Sequence, residues 1–321
     1  MPAKFMSPSL GNTTPLESGR WEMSVSTRVI HSEDIYIGSK EQPQIKAAGA
    51  EPLIDVSSMD ISFRYGINQR WSVTTTVPLI DSKANILMAD GVRRSLNPGT
   101  KLGDIRVQAN YWLKYPATNP NSNTLLSFGV KIPTGDDDLK GTFFTAAGEP
   151  IRRPLDISQQ PGDGGWGFII EGQWYRRFNK VTAYATGSYL FNPRNTNGVN
   201  PPQSNPPNLF SMSVPDQYSA SVGISIPVWP TRGVSISIGG RVIGMPVSDV
   251  FGDSDGFRRP GRVSFVEPGL NWSFGSHNFS FSVPIAVHRK FSTSDLDKDR
   301  GVRTGGGLAD YVIMASYSHQ F

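Results

Sequence analysis

Asp295, Asp297 and Asp299, in the run Ser294-Asp295-Leu296-Asp297-Lys298-Asp299-Arg300-Gly301, have the one-three-five carboxylate spacing of a calcium loop. A complete loop of that kind needs glycine at its sixth position, where this chain has Arg300, with Gly301 one place later. Two further acidic clusters, Asp136-Asp137-Asp138 and Asp253-Ser254-Asp255, resemble it in composition. Calcium held by these three aspartates is one expectation, and a solvated acidic loop is the other. Catalytic chemistry has little to stand on. The four histidines, His31, His277, His288 and His319, begin no metal-ligand spacing, and no G-x-S-x-G elbow occurs. Cysteine is absent, which removes thiolate nucleophiles, thiolate metal sites and disulfides. Gly305-Gly306-Gly307 opens no helix and so makes no phosphate cradle. We expect no enzyme and no cofactor beyond calcium at the loops.

The remaining charged residues follow a different rule: they alternate with apolar ones. From Asp104 to Tyr115, Ile105, Val107, Ala109, Tyr111 and Leu113 point one way, while Asp104, Arg106, Gln108, Asn110 and Trp112 point the other. The chain ends on the same pattern, with Tyr311, Ile313, Ala315, Tyr317, His319 and Phe321 on one face. A strand that stops on an exposed phenylalanine is costly in water and favourable where an apolar face meets lipid. Twelve such segments can be read, at 20–31, 57–67, 71–81, 104–115, 124–133, 166–178, 181–191, 217–229, 233–245, 262–274, 278–288 and 311–321.

The connections sort by length. Short links such as Asn68-Gln69, Phe178-Asn179-Lys180 and Gly275-Ser276-His277 alternate with long ones rich in Pro, Gly, Asn and Asp, including Pro201 to Pro207. Short turns at one end and long loops at the other predict an all-β fold: a transmembrane antiparallel up-and-down β-barrel of about 12 strands, its short turns and both termini periplasmic. Trp21, Trp71, Trp174, Trp229 and Trp272 gather near the short turns, as an interfacial girdle requires. Hydrophobic residues make up only 37% of the chain. That speaks against helical spans but not against strands that show every second residue to water. The expected domains are a periplasmic leader or short luminal segment at 1–18 and one barrel at 19–321. Met1-Pro2-Ala3-Lys4 opens no signal-peptide pattern, so a mature or trimmed form of an exported chain is expected. The formal charge of +4 comes with no lysine-rich run, and nucleic acid is not expected as a partner.

Charges facing lipid cost about 2–4 kcal/mol each at the midplane, so the alternation places Glu22, Arg28, Asp60 and Arg177 in the lumen. The same parity sends Arg64, Arg106, Lys131, Arg241, Glu171 and Glu267 inward, and these six are the expected solute contacts. Cations outnumbering carboxylates would favour anionic or polar solutes, whereas mutual pairing would make the same residues a rigid filling. Pro78, Pro133, Pro227 and Pro284 fall inside or near the ends of strands. Strand termination is the simpler reading, and a bend or gap in the wall is the other.

Two stretches carry a resemblance. Gly103-Asp104-Ile105-Arg106 leads to Tyr111-Trp112-Leu113-Lys114, and Gly129-Val130-Lys131-Ile132-Pro133-Thr134-Gly135-Asp136 closes the next segment. The pair resembles the outer-membrane barrels named for the phenol meta-degradation pathway. That resemblance implies carriage of small hydrophobic or aromatic compounds. The last strand resembles the closing strand of bacterial outer-membrane barrels, which implies that Phe321 is read by the assembly machinery. The expected surroundings are outer-membrane lipid and lipopolysaccharide, and the expected function is passive diffusion of a small-molecule solute. A non-conducting scaffold, contacting partners through loops with Phe143, Phe144, Phe210 and Phe251, is the competing expectation. The oligomeric state is not legible.

Overall fold

The computed structural model describes residues 14–204, 209–302 and 304–321. Residues 1–13 of the expected N-terminal segment lie outside them, as do Asn205, Pro206 and Pro207 of the proline-rich loop. Twelve wall strands follow in order: β1 (Trp21–Ser32), β2 (Leu53–Gly66), β3 (Trp71–Leu87), β4 (Ile105–Trp112), β5 (Ser122–Ile132) and β6 (Gly167–Phe178). Then come β7 (Val181–Phe191), β8 (Gln217–Trp229), β9 (Val234–Met245), β10 (Gly261–Phe274), β11 in two pieces (His277–Ser282 and Ile285–Phe291), and β12 (Tyr311–Gln320). Each pairs antiparallel with its neighbours in sequence, and β1 pairs with β12 from Glu22↔Gln320 to His31↔Tyr311. The sheet therefore closes on itself and leaves no edge strand in the wall. Among the described residues no helix is long and apolar enough to cross a membrane.

Local chemistry explains the short turns. Asn179 and Lys180 alone join Phe178 to its partner Val181, and Asn179 takes the left-handed conformation (φ 53°) that such a hairpin needs and that Asn tolerates. Gly275 does the same (φ 53°) before Ser276. At the turn after β2, the Asn68 side-chain oxygen accepts from the backbone N–H groups of Arg70 and Trp71, both at 2.9 Å.

The outer face is apolar, with Phe128, Ile170, Val222, Ile238 and Phe281 exposed along its middle. Rings cluster at the short-turn rim, where Trp21 lies 4.8 Å from Tyr65 and Trp71 4.5 Å from Tyr111. Two strands run further than the alternation predicts. β2 starts at Leu53 and β3 ends at Leu87, and the added residues pair with each other from Leu53↔Asn85 onward. Asp55 and Lys83 are exposed on the outer face of this extension, so it stands beyond the apolar belt, in water.

Only Pro133 behaves as a simple strand end, directly after Ile132. Pro78 lies within β3, where the ladder to β4 stops at Thr76↔Arg106, because proline has no N–H to continue it. Pro227 marks a register shift against β9. Pro284 splits β11, yet Ser282↔Met314 and Ile285↔Tyr311 stay paired on either side, and Val312 donates to the Pro284 carbonyl at 2.9 Å. The wall has no gap there.

Candidate functional site: a lumen closed by its own loops

The interior has two zones. Towards the long loops it is apolar: Ile30, Ile243, Val263, Phe265 and Val312 face inward and are buried against Leu308 and Ala309 of the last long loop. The alternation that shows every second residue to water does not hold at this end. Towards the short turns the interior is polar and encloses a chamber of about 150 Å³. Arg64, Arg106 and Glu171 line this chamber, together with Glu22, Arg28 and Asp60.

Pairing accounts for these charges. Asp60 accepts from Arg106 at 2.6 Å and from Arg28 at 3.3 Å. Arg64 donates to Glu22 at 2.9 Å and to the Thr14 carbonyl at 2.6 Å, so the segment before β1 reaches into the short-turn mouth. Gln320 holds the same corner, donating to Glu22 at 3.0 Å and to the Thr14 hydroxyl at 2.6 Å. Glu171 accepts from the Gln173 amide at 2.6 Å. Three guanidinium groups thus face three carboxylates around the chamber.

The other expected contacts lie elsewhere. Arg241 and Glu267 form a two-point pair at 2.7 and 3.1 Å, joined by the Ser282 hydroxyl at 3.0 Å, and neither lines the chamber. Lys131 is bonded to both carboxylate oxygens of Asp163 and lies 3.8 Å from Asp104. Arg177 is exposed at the short-turn rim.

Asp163 belongs to the segment that closes the long-loop mouth. Between β5 and β6 the chain turns inward, and Leu155, Ser158, Gln159, Gln160 and Asp163 are all buried. A buried loop must satisfy its own backbone. Ser82 of the wall donates to the Gln159 carbonyl at 3.1 Å, and the Gln160 side chain donates to the carbonyls of Leu155 and Leu139. The residues that carried the family resemblance are the socket for this loop. Asp104 accepts from the N–H groups of Gly135 (3.0 Å) and Asp163 (3.3 Å), and Thr134 bridges to the Gly103 carbonyl at 2.8 Å. Gly135 and Gly162 meet backbone to backbone: a Cβ on Gly162 would lie 2.3 Å from the Gly135 oxygen. Strand spacing alone does not reveal this loop, although the glycines at 162, 164 and 165 hint at close chain approach.

Neighbouring loops lock onto it. Asp156 accepts from Arg259 at 2.6 Å, joining loops 103 positions apart in sequence, and from Gln203 at 2.8 Å. Burial works against the Asp156 charge, but Arg259 and the Ser158 N–H outweigh it and hold the carboxyl well below the ordinary carboxylate range. A depressed carboxyl contributes stability that is complete above the ordinary value of about 4 and fades as pH falls below it. Hydrogen-exchange protection of residues 155–165 should therefore hold down to about pH 4 and fall in more acidic solution. Arg259→Gln should lower protection at neutral pH and flatten that acid dependence.

The three aspartates of the calcium-like run do not converge. Asp297 is buried and accepts from the hydroxyls of Ser294 and Thr304, both at 2.7 Å, while Asp295 accepts from Lys298 and from Ser248. The run forms one helical turn (Asp295–Asp299) capped by Ser294. No group of three or more potential ligands that could hold a metal ion occurs among the described residues.

Solved structures resemble this arrangement. An outer membrane channel from Pseudomonas putida F1 superposes with a TM-score of 0.62 over 99% of this chain and 100% of its own, at 13% identity. The fold is that of an outer-membrane β-barrel. More distant matches are the P. putida toluene transporter TodX (TM-score 0.45, 10% identity, 99% of this chain and 94% of that one) and the β-domain of the Bordetella autotransporter BrkA (0.47, 11%, 95% and 100%). No protein-family model matches the sequence.

Proposed function

We propose that this chain is an outer-membrane channel for passive diffusion of small molecules, with its short turns and termini in the periplasm. One observation carries the reading. A polar chamber lies inside a closed wall, and its long-loop side is covered by inward loop segments, 155–165 and Leu308-Ala309, that are not part of the wall ladder. Such a cover can move without breaking the barrel, because the wall strands do not depend on it. The closing strand supports export to this membrane: Phe321 is exposed, and its N–H donates to the Trp21 carbonyl at 2.8 Å, where the barrel seals. We propose this strand as the element read by the assembly machinery, and membrane lipid and lipopolysaccharide as the surroundings of the apolar belt.

The scaffold reading finds less support. Phe210 is buried beside Phe257, and Phe143 and Phe144 pack against Met88, Leu96 and Leu155. Only Phe251 of the four is exposed. Planar-bilayer recording in a salt gradient tests the channel. Small, intermittent conductance with a reversal potential near zero is expected, because chamber cations and carboxylates balance. Silence, both in this chain and in variants with the cover loosened, would remove the channel reading.

A further inference from the structure

The resemblance in the sequence implies hydrophobic or aromatic cargo, but the chamber is not built for it. Ten of its 22 lining residues carry a hydroxyl, and only Leu125, Met314 and Ala315 are apolar. Serine and threonine reach it from β1, β2, β3, β5, β11 and β12, so hydroxyls line a broad arc of the wall that runs from β11 through the β12–β1 seam to β5. Several already bond to one another. Ser62 and Thr76 lie 2.8 Å apart, the Asn110 amide donates to Thr74 at 2.9 Å, and Ser127 donates to the Asn110 oxygen at 2.7 Å. A hydroxyl has one donor and two acceptor positions, so a pair such as Ser62–Thr76 uses one O–H between its members and leaves the other to turn towards a guest. The short carbons of these side chains sit between the hydroxyls. That surface matches a molecule that itself alternates C–H and O–H.

The charges point the same way. Arg28 and Arg106 share Asp60, Arg64 holds Glu22, and Glu171 is held by Gln173. A lone anion or cation entering the chamber meets both signs and must compete with pairs already made. An apolar ring would cover hydroxyls and amides without replacing their hydrogen bonds, which costs free energy for each group left unmet. A small neutral polyol meets neither cost.

We infer that the chamber is a binding site for small, uncharged, hydroxylated solutes, and that these, rather than aromatic compounds or ions, are the cargo. The inference rests on the channel reading above, and the two can fail separately. Because the chain contains no cysteine, one introduced thiol reports on the chamber alone. Ser26→Cys, and Ser24→Cys as a second position, would each be reacted in the folded, full-length protein with four methanethiosulfonates: hydroxyethyl, sulfonatoethyl, trimethylammonioethyl and benzyl. Rates are divided by those of the same reagents on a free thiol, and the conductance of each variant is recorded. The expected result is hydroxyethyl fastest by about tenfold, corresponding to roughly 1.4 kcal/mol, and slowed by added erythritol. A conducting protein in which the benzyl or a charged reagent is equal or faster would overturn the cargo class and leave the channel standing. A protein that neither conducts nor reacts with any of the four would overturn both.

Discussion

Asp163→Asn should raise the time-averaged conductance of the barrel. The substitution leaves the Lys131 ammonium buried with Asp104 at 3.8 Å as its remaining carboxylate. Stripping one partner from a buried pair costs about 3–5 kcal/mol when nothing replaces it. Asp104 recovers part of that, so a loss of about 2 kcal/mol in docking of the 155–165 loop is a reasonable figure, or roughly thirtyfold in its closed-to-open ratio. Longer or more frequent openings in single-channel records, with the barrel itself as heat-stable as before, is the expected outcome. Gly162→Ala attacks the same contact without touching charge, because its methyl would press into the Gly135 carbonyl at 2.3 Å. Both variants should open the channel. Unchanged records from both would mean that this loop does not control passage.

The second large effect concerns stability rather than gating. Arg241 and Glu267 are almost wholly buried in the wall and hold each other through two hydrogen bonds. Arg241→Met should destabilise the barrel by about 3–5 kcal/mol, since Glu267 loses the cation of its two-point pair and the Ser282 hydroxyl that also bonds it carries no charge. Adding Glu267→Gln to that variant removes the stranded charge and should return most of the loss. The measurement is urea-induced unfolding in lipid vesicles, followed by tryptophan fluorescence. Full stability in the single variant would show that water or a rearranged neighbour reaches Glu267, and the pair would then have to be regarded as part of an open pore.

These two sites differ in how they could be read from the sequence. The wall was legible almost residue by residue. In a tilted strand between lipid and lumen the side-chain period is two, and a charge on the wrong face is costly, so parity alone assigns Arg64, Arg106, Lys131, Arg241, Glu171 and Glu267 to the interior. The inward positions of Glu22, Arg28 and Asp60 follow from the same rule. The apolar zone beneath the long loops was also visible, though easily missed. Val29-Ile30, Val242-Ile243, Phe265-Val266 and Val312-Ile313 interrupt the alternation with adjacent apolar residues. Adjacent apolar residues on a strand mean that both faces are covered, one by lipid and the other by an inward loop.

Pairing was not legible. Parity says that Arg28, Arg106 and Asp60 face the lumen, but not that both guanidinium groups converge on one carboxylate while Lys131 leaves the chamber for Asp163. Those choices depend on strand register and on a loop that enters from above, and neither is encoded in the local period. Charge counts left selection of anionic or polar solutes and mutual pairing both open, and the folded chain pairs its charges around a space lined largely by hydroxyls. The same limit applies to Asp297. Its spacing suits a calcium loop, yet Ser294 and Thr304 take its carboxylate into a helix cap. Twelve strands, their order, their inward faces and their two unlike ends are set by alternation and turn chemistry, which act over a few residues. Which charges meet, and which loop closes the lumen, is decided only when strand register and loop docking bring together positions from 26 (Arg241 and Glu267) to 103 (Asp156 and Arg259) residues apart.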